Sequence, residues 1–276
     1  MEPIFTIDLL PKIDKKLLEV LRSLSPDDWQ KQTLAPLWKV HDVALHLLDG
    51  NIRTLSLLRD GYLGVKPTEI NTYQDLVAYL NQLNADWIVA MRRLSPAVLV
   101  DLLEHTGQQY THYLAQLDSF APATFSVAWA GESTSPNWFH IAREYTEKWH
   151  HQQQIRLAVG QEAALYTREY YHPYLDTSVR ALPHHYRTVK GNKKEAIKFS
   201  ILGEGGGVWY LESNGQAWVL KAAIDTDPIC EVQIDGQIAW RIFTKGITKQ
   251  AAAESLVVKG RQDLGLKIVD MLAVMA

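Results

Sequence analysis

The sequence predicts an α + α/β protein in which an N-terminal four-helix bundle is followed by a small α+β domain. Apolar residues recur at helical spacing through the first 160 residues, and short strand-like runs replace them from Ala196 onward. Asn214-Gly215, a strong hairpin signal, separates two of these runs. We expect a helix bundle over 1–162, a linker with a short helix over 163–190, and the α+β domain over 191–276.

Each helix of the first part is predicted from an apolar stripe and a stop signal. Ser25-Pro26, Gly61, Ser95-Pro96 and Gly160 supply the stops. The expected helices cover 8–24, about 38–62, 73–94, a shorter one from 96 to 117, and 137–159. Residues 119–136 contain two prolines and predict a long connection.

The second part predicts five strands and two helices. The strands are expected at 196–201, 208–211, 217–220, about 230–234 and 256–258. One helix is expected near 238–243, and a terminal helix is expected from Asp263 to Met275.

Composition places the chain among ordinary globular proteins. It has 276 residues, of which 47% are hydrophobic and 21% charged, and its net charge of -3 argues against a nucleic-acid binder. No apolar stretch is long enough to span a bilayer, and the start lacks a signal peptide. We therefore expect a cytoplasmic protein with a small-molecule substrate and no membrane partner, either a monomer or a homodimer.

The chain has ten His residues but only one Cys, Cys230. A single Cys cannot form an intramolecular disulfide, a cysteine-rich zinc site or a two-cysteine redox motif. Any metal site must therefore use His and carboxylate ligands. Cys230 lies among apolar, strand-forming residues, so we expect a buried and inert thiol.

The last helix of the first part carries the most informative pattern. Glu147 and His151 are four residues apart and so share one helical face. Both belong to a polar stripe on this helix, which consists of His140, Glu144, Glu147, His151 and Gln154. On this helix alone, a solvent-exposed face with an ion pair is the commoner interpretation.

His46 supplies a third candidate ligand, in the middle of the second predicted helix and among leucines. A single His in such a place can equally be a core residue. If the two helices face each other, His46, Glu147 and His151 form a set of two His and one carboxylate. That set matches an open catalytic zinc site.

Several of these residues together resemble a known family. Over about residues 5–160 the chain is similar to the maleylpyruvate isomerase N-terminal, DinB-like helix-bundle family. The residues that carry the similarity are Trp38, Asp42-Val-Ala-Leu-His46, Glu147-x-x-x-His151 and Gln152-Gln-Gln-Ile155. The end of the chain, 256–273, resembles the small domain that follows in mycothiol-dependent maleylpyruvate isomerases, and more distantly sterol carrier domains.

The resemblance implies metal ligands and a chemistry. Carried over to this chain, the family's ligands are His46, Glu147 and His151, holding a divalent metal, zinc or a similar ion. The implied activity is that of a thiol-dependent isomerase or transferase using mycothiol or an analogue. A metal-dependent hydrolase on the same site remains open, as does a non-enzymatic protein that binds a small apolar ligand through its C-terminal domain.

Three further polar residues have two interpretations each. Glu144 precedes Glu147 by one turn and could orient a ligand or act as a base, or be a surface acid. Arg53 follows His46 by two turns and could hold a substrate carboxylate, or extend to solvent. His150 is about a quarter-turn off the stripe, so we expect a supporting or surface residue rather than a fourth ligand.

Overall fold

The computed structural model describes residues 2–66 and 69–275, and the chain divides into two compact units. The helical unit comprises Thr6–Thr124 and Glu147–Glu162, and the sheet-containing unit comprises Met1–Phe5, Phe125–Thr146 and Ala163–Ala276. The units therefore alternate along the chain. The domain division at residues 162 and 190 stays a prediction.

The long helices of the first part form where apolar stripes predict them. They are α1 (Leu10–Ser23), α2 (Val40–Thr54), α3 (Tyr73–Met91), α4 (Pro96–Ala115) and α5 (Asn137–Val159). The bounds of α5 are those predicted. The predicted second helix is divided, because α2 ends at Thr54 and Leu55–Arg59 continues as a π-helical turn. The expectation of a shorter fourth helix is wrong, since α4 has 20 residues and α3 has 19.

Local signals explain several of these ends. Thr72 Oγ1 accepts a hydrogen bond from the backbone N–H of Asp75 at 3.1 Å, and the Asp75 carboxylate accepts one from Thr72 N–H at 2.8 Å. This reciprocal pair satisfies two amides that a helix start leaves without partners. At the other end of the first part, Gly160 adopts φ +72° and stops α5 in the left-handed conformation that glycine favours.

Apolar side chains from all five helices form the core of the helical unit. Ile155 is the contribution of α5, and Ile88 that of α3. The other buried members are Leu17, Val20, Leu21, Trp29, Val40, Val43, Ala44, Leu45, Leu47, Leu48, Leu99, Val100 and Leu103. His46 therefore lies on a helix whose neighbouring leucines are fixed in this core.

A buried ionic network ties α5 to two other helices. Lys148 Nζ donates to Asp14 Oδ1 of α1 at 2.8 Å and to Asn51 Oδ1 of α2 at 2.9 Å. The same ammonium lies 4.5 Å from the centre of the Tyr110 ring. Because Lys148 follows Glu147 directly, this network fixes the helical turn that carries the candidate ligands.

The sheet-containing unit holds a five-stranded mixed sheet in the order β3-β2-β1-β4-β5. Its strands are β1 (Ala196–Ile201), β2 (Gly207–Ser213), β3 (Trp218–Lys221), β4 (Cys230–Ile234) and β5 (Val257–Gly260). Only β1 and β4 pair in parallel among these strands, with Ile197 opposite Cys230. Gly215, at φ +96°, closes the predicted hairpin between β2 and β3.

Five short helices complete this unit. They are α6 (Arg168–Ser178), α7 (Leu182–His185), α8 (Gly236–Phe243), α9 (Lys249–Glu254) and α10 (Gln262–Gly265). The helical N-terminal region and the mixed-sheet C-terminal region confirm the predicted fold class. Along the described chain, none of the helices combines the length and the apolar character that crossing a membrane requires.

The predicted terminal helix over 263–275 is wrong. Helix α10 ends at Gly265, a 3₁₀ segment follows over Leu266–Asp270, and the residues after it are irregular. Ile268 and Met271 are nevertheless buried, and Ala273 N–H donates to the carbonyl of Phe243 at 3.0 Å. The apolar residues of this segment have helical spacing because they are buried. The backbone after α10 nevertheless does not continue as an α-helix. Helix α9 was not predicted.

Cys230 lies in β4 with 1% of its surface exposed, which confirms the expected buried thiol. Burial raises the pKa of this thiol to about 11, and the neighbouring Asp263 carboxylate also raises it. The thiolate, which is the reactive form, is therefore scarce at neutral pH.

Candidate metal centre

Glu147 and His151 form the centre of the site on one face of α5. His151 Nε2 lies 3.6 Å from Glu147 Oε2, as expected for residues four apart on a helix. On the other side of the ring, His151 Nδ1 lies 3.0 Å from Gln154 Oε1. When Nδ1 donates to this oxygen, Nε2 keeps its lone pair on the side of Glu147, as a metal ligand requires.

His46 meets this pair from α2. The centres of the His46 and His151 rings are 4.5 Å apart, and the rings meet edge to face. His46 Nδ1 is buried and has no hydrogen-bond partner among the described residues. Burial lowers the pKa of His46 well below its ordinary value, and the nearby His151 and Arg53 lower it further. His46 is therefore neutral at pH 7, the form that binds metals.

Trp38 packs against both imidazoles. Its ring centre is 4.8 Å from that of His46 and 6.1 Å from that of His151. The sequence resemblance included Trp38, but no role was predicted for it. The indole provides an apolar wall beside the two histidines, which limits their contact with water.

His150 also belongs to the site. In the described part of the chain, ligand atoms of Glu147, His150 and His151 all lie within 4.8 Å of one another. The rings of His150 and His151 are 3.9 Å apart, and His150 is 4% exposed. The surface position that we considered for His150 is thus wrong. The spacing Glu-x-x-His-His was the available signal, because residues three apart on a helix are neighbours.

The polar stripe of α5 is not a solvent-exposed face. His140 is 2% exposed, His151 8% and Gln154 7%. A surface ion pair, the common interpretation of such a stripe, does not account for three buried polar side chains.

Arg53 lies near His46 but is engaged by a neighbour on α2. Its Nη2 is 3.2 Å from Asp49 Oδ2, while its Nη1 is buried without a hydrogen-bond partner among the described residues. Arg53 and Asp49 do not form a hydrogen bond, and Asp49 Oδ2 is buried without a hydrogen-bond partner in the part of the chain that the structure describes. Burial therefore dominates and raises the pKa of Asp49 to about 6, although Arg53 opposes the shift.

Glu144 belongs to the other unit, in the part of α5 that precedes Glu147. Arg143 Nη2 donates to Glu144 Oε1, and His140 Nε2 lies 3.9 Å from the same oxygen. Burial lowers the pKa of His140 to about 4, against the effect of Glu144. Glu144 is thus a partly buried, paired acid, and its part in catalysis stays a prediction.

The donors present fit a divalent cation. Glu147 supplies one negative charge, and His46, His150 and His151 supply imidazole nitrogens, which suit zinc among other metals. The buried Nδ1 of His46 has no hydrogen-bond partner within the described chain, and a bound ion or its surroundings would satisfy it. Of the predicted ligands, Glu147 and His151 lie in the close group, and His46 packs against His151 from outside it.

A helical unit with buried His and carboxylate donors, together with a mixed-sheet unit, defines a class of two-part proteins with a candidate metal site on the helices. Residues 10–156, more than half of the chain, match the sequence model described as the mycothiol maleylpyruvate isomerase N-terminal domain. The chain belongs to this family.

One solved structure agrees with the fold. A histidine-to-alanine variant of the mycothiol-dependent maleylpyruvate isomerase is 11% identical, covers 92% of this chain and 91% of its own, and superposes with a TM-score of 0.50. A second structure of the mycothiol-dependent maleylpyruvate isomerase is 12% identical, with 86% of each chain covered and a TM-score of 0.47. A search of curated proteins finds no match.

Proposed function

We propose that the protein is a divalent-metal-dependent enzyme in which His46, Glu147 and His151 hold the ion, with zinc the expected metal. The observation that supports this most is the contact of a neutral, half-buried His46 with His151, which is itself paired with Glu147, inside the segment that matches the family. Two imidazoles and one carboxylate leave a zinc ion with net positive charge and room for a further ligand.

The proposed reaction is a thiol-dependent isomerisation or transfer of the maleylpyruvate isomerase type. A bound divalent ion supplies Lewis acidity, which lowers the pKa of a thiol and makes it a better nucleophile. The chain's only thiol, Cys230, lies in the sheet-containing unit, is buried and has a raised pKa. The thiol is therefore expected to come from a small molecule, mycothiol or an analogue.

Other residues of the helical unit have supporting roles in this proposal. Gln154 holds the His151 ring through Nδ1, and Trp38 covers the two imidazoles. Arg53 is the candidate for binding a substrate carboxylate, since its partly exposed guanidinium retains a buried Nη1 without a described partner. Glu144 is kept as the candidate base.

Metal content tests the ligand assignment. We expect purified wild type to bind about one equivalent of zinc, and His151→Ala to lose it, because a three-ligand site loses most of its affinity with one ligand. His112→Ala, on the exposed surface of α4, is the matched control and should keep its zinc. Stoichiometric zinc in His151→Ala would refute the assignment.

Thiol dependence separates the proposed reaction from hydrolysis on the same site. A thiol-dependent enzyme should turn over only when a low-molecular-weight thiol is added, with a rate that saturates in thiol. A hydrolase using activated water would be equally active without thiol. Activity on a maleylpyruvate-like acid without thiol would therefore favour the hydrolase.

Binding of an apolar ligand by the C-terminal part is the non-enzymatic alternative. The sheet-containing unit has a cavity of about 260 Å³ lined by Trp138, Phe139, Val219 and Leu220, but also by Glu132 and Arg180. Its volume lies below the range of about 300–1,000 Å³ typical of small-molecule sites. This cavity therefore supports apolar-ligand binding less strongly than the His and carboxylate donors of the helical unit support a metal-dependent enzyme.

A further inference from the structure

Three potential ligands come from a single turn of α5. Glu147, His150 and His151 occupy positions i, i+3 and i+4, and their ligand atoms lie within 4.8 Å of one another. A helix places such side chains over the same patch of surface. The turn is also rigidly placed, because Lys148 is bonded to Asp14 and Asn51.

His150 packs against His151, whose ring in turn meets that of His46 from the other helix. Its ring centre is 3.9 Å from that of His151, and its surface is 4% exposed. His150 thus faces the donors rather than solvent.

We infer that His150 is a fourth ligand of the metal, beside His46, Glu147 and His151. This inference rests on the proposed metal-binding function. Three imidazoles and one carboxylate form a complete tetrahedral set for zinc, the number found in closed sites. A site with three protein ligands keeps a position open, whereas with His150 bound a small-molecule thiol would have to replace His150 or become a fifth ligand.

Cobalt titration of the full-length protein tests this. Co²⁺ is the probe, because its visible absorption depends on the number and type of its ligands. We compare wild type with His150→Asn and with His112→Asn, an exposed control on α4. Loss of a ligand should weaken Co²⁺ binding by more than about 100-fold and shift the absorption bands, since even residues that only orient a ligand contribute about 10–100-fold. His112→Asn should match wild type.

An unchanged cobalt spectrum in His150→Asn would overturn the inference, whatever the change in affinity, because a merely supporting residue leaves the ligand set intact. Circular dichroism of each variant shows whether it is folded. X-ray absorption of the zinc-loaded wild type gives an answer that needs no variant: three coordinated imidazoles support the inference, and two refute it.

The same measurements separate this inference from the proposed function. Metal binding by wild type with an unaltered His150→Asn spectrum rejects the fourth ligand and leaves the metal enzyme standing. Failure of wild type to bind either metal rejects the proposed function itself.

Discussion

The buried charges of the helical unit differ in how well they are satisfied. Lys148 has oxygen partners on α1 and α2, whereas Asp49 has an ion-pair partner at 3.2 Å but an oxygen without any hydrogen bond among the described residues. A satisfied buried charge becomes costly when one partner is removed, and an unsatisfied one is costly already. The two residues should therefore respond to neutral substitution in opposite ways.

Substituting Lys148→Met should destabilise the protein by about 2–3 kcal/mol, because Asp14 is left as a partly buried charge without its partner. Urea unfolding of metal-free protein measures this. Lys16→Met removes an exposed ammonium that pairs with Glu19, and should cost at most about 0.5 kcal/mol. Equal effects of the two substitutions would show that the Lys148 network is not a stabilising element.

The pKa of Asp49 predicts a pH dependence of stability. Its native pKa is about 6, above the ordinary value of 3.8 for an unfolded chain. Between these values the native state binds more protons than the unfolded state, so this residue's contribution to stability falls as the pH rises from about 4 to about 6.

Substituting Asp49→Asn should remove that fall. The free energy of unfolding of metal-free protein, measured in urea at about pH 4 and about pH 7, should decline less with pH in the variant than in wild type. Asp101→Asn, at an exposed position of α4, controls for the loss of one negative charge. Parallel pH profiles for wild type and Asp49→Asn would contradict the raised pKa.

Among the elements, α5 and α10 show which local signals determine structure. The bounds of α5 were predictable because Gly160 can adopt the left-handed conformation and the preceding connection holds two prolines. The end of the chain was predicted wrongly, since Leu264, Ile268 and Met271 have helical spacing and are buried, but the backbone changes from one α-helical turn to a 3₁₀ segment and then to irregular structure. The spacing of apolar residues indicates which side chains are buried, and burial alone does not determine the backbone conformation.

Two glycines of the helical unit should respond oppositely to alanine. Gly160→Ala should destabilise by about 1 kcal/mol, because a Cβ is strained at φ +72° even though, apart from the chain neighbours, no described atom would lie within 4 Å of it. Gly50→Ala, within α2 and equally free of close atoms, should stabilise by about 0.5–1 kcal/mol. Thermal unfolding measures both, and a stabilising Gly160→Ala would contradict the left-handed end of α5.

For the whole molecule, the candidate site was only partly predictable. Glu147 and His151 follow from spacing on one helix. His46 was a candidate from its place in the middle of another helix, and the family resemblance selected it, because contacts between helices far apart in sequence are not visible in periodicity. His150 was not predicted as a ligand, because it lies outside the polar stripe of α5. In the structure, His150 and His151, three and four residues after Glu147, both have ligand atoms close to it. Asp49 and Gln154 gain their importance from burial, which a single sequence does not reveal.

Metal binding should also appear as global stabilisation. A ligand that binds only the native state adds about 2.7 kcal/mol at 100 times its dissociation constant. Zinc should therefore raise the unfolding midpoint of wild type and leave that of His151→Ala unchanged. A similar zinc-induced rise in both proteins would mean that the ion binds elsewhere.

Because Cys230 is buried, the proposed thiol-dependent reaction can be followed by measuring the added thiol directly. With 1% of its surface exposed and a pKa of about 11, its thiol should react slowly with colorimetric thiol reagents while the protein is folded. The consumption and return of an added small-molecule thiol can then be recorded in the same cuvette as the enzyme. The chain itself contributes little background to such an assay, and a sudden signal from it reports unfolding.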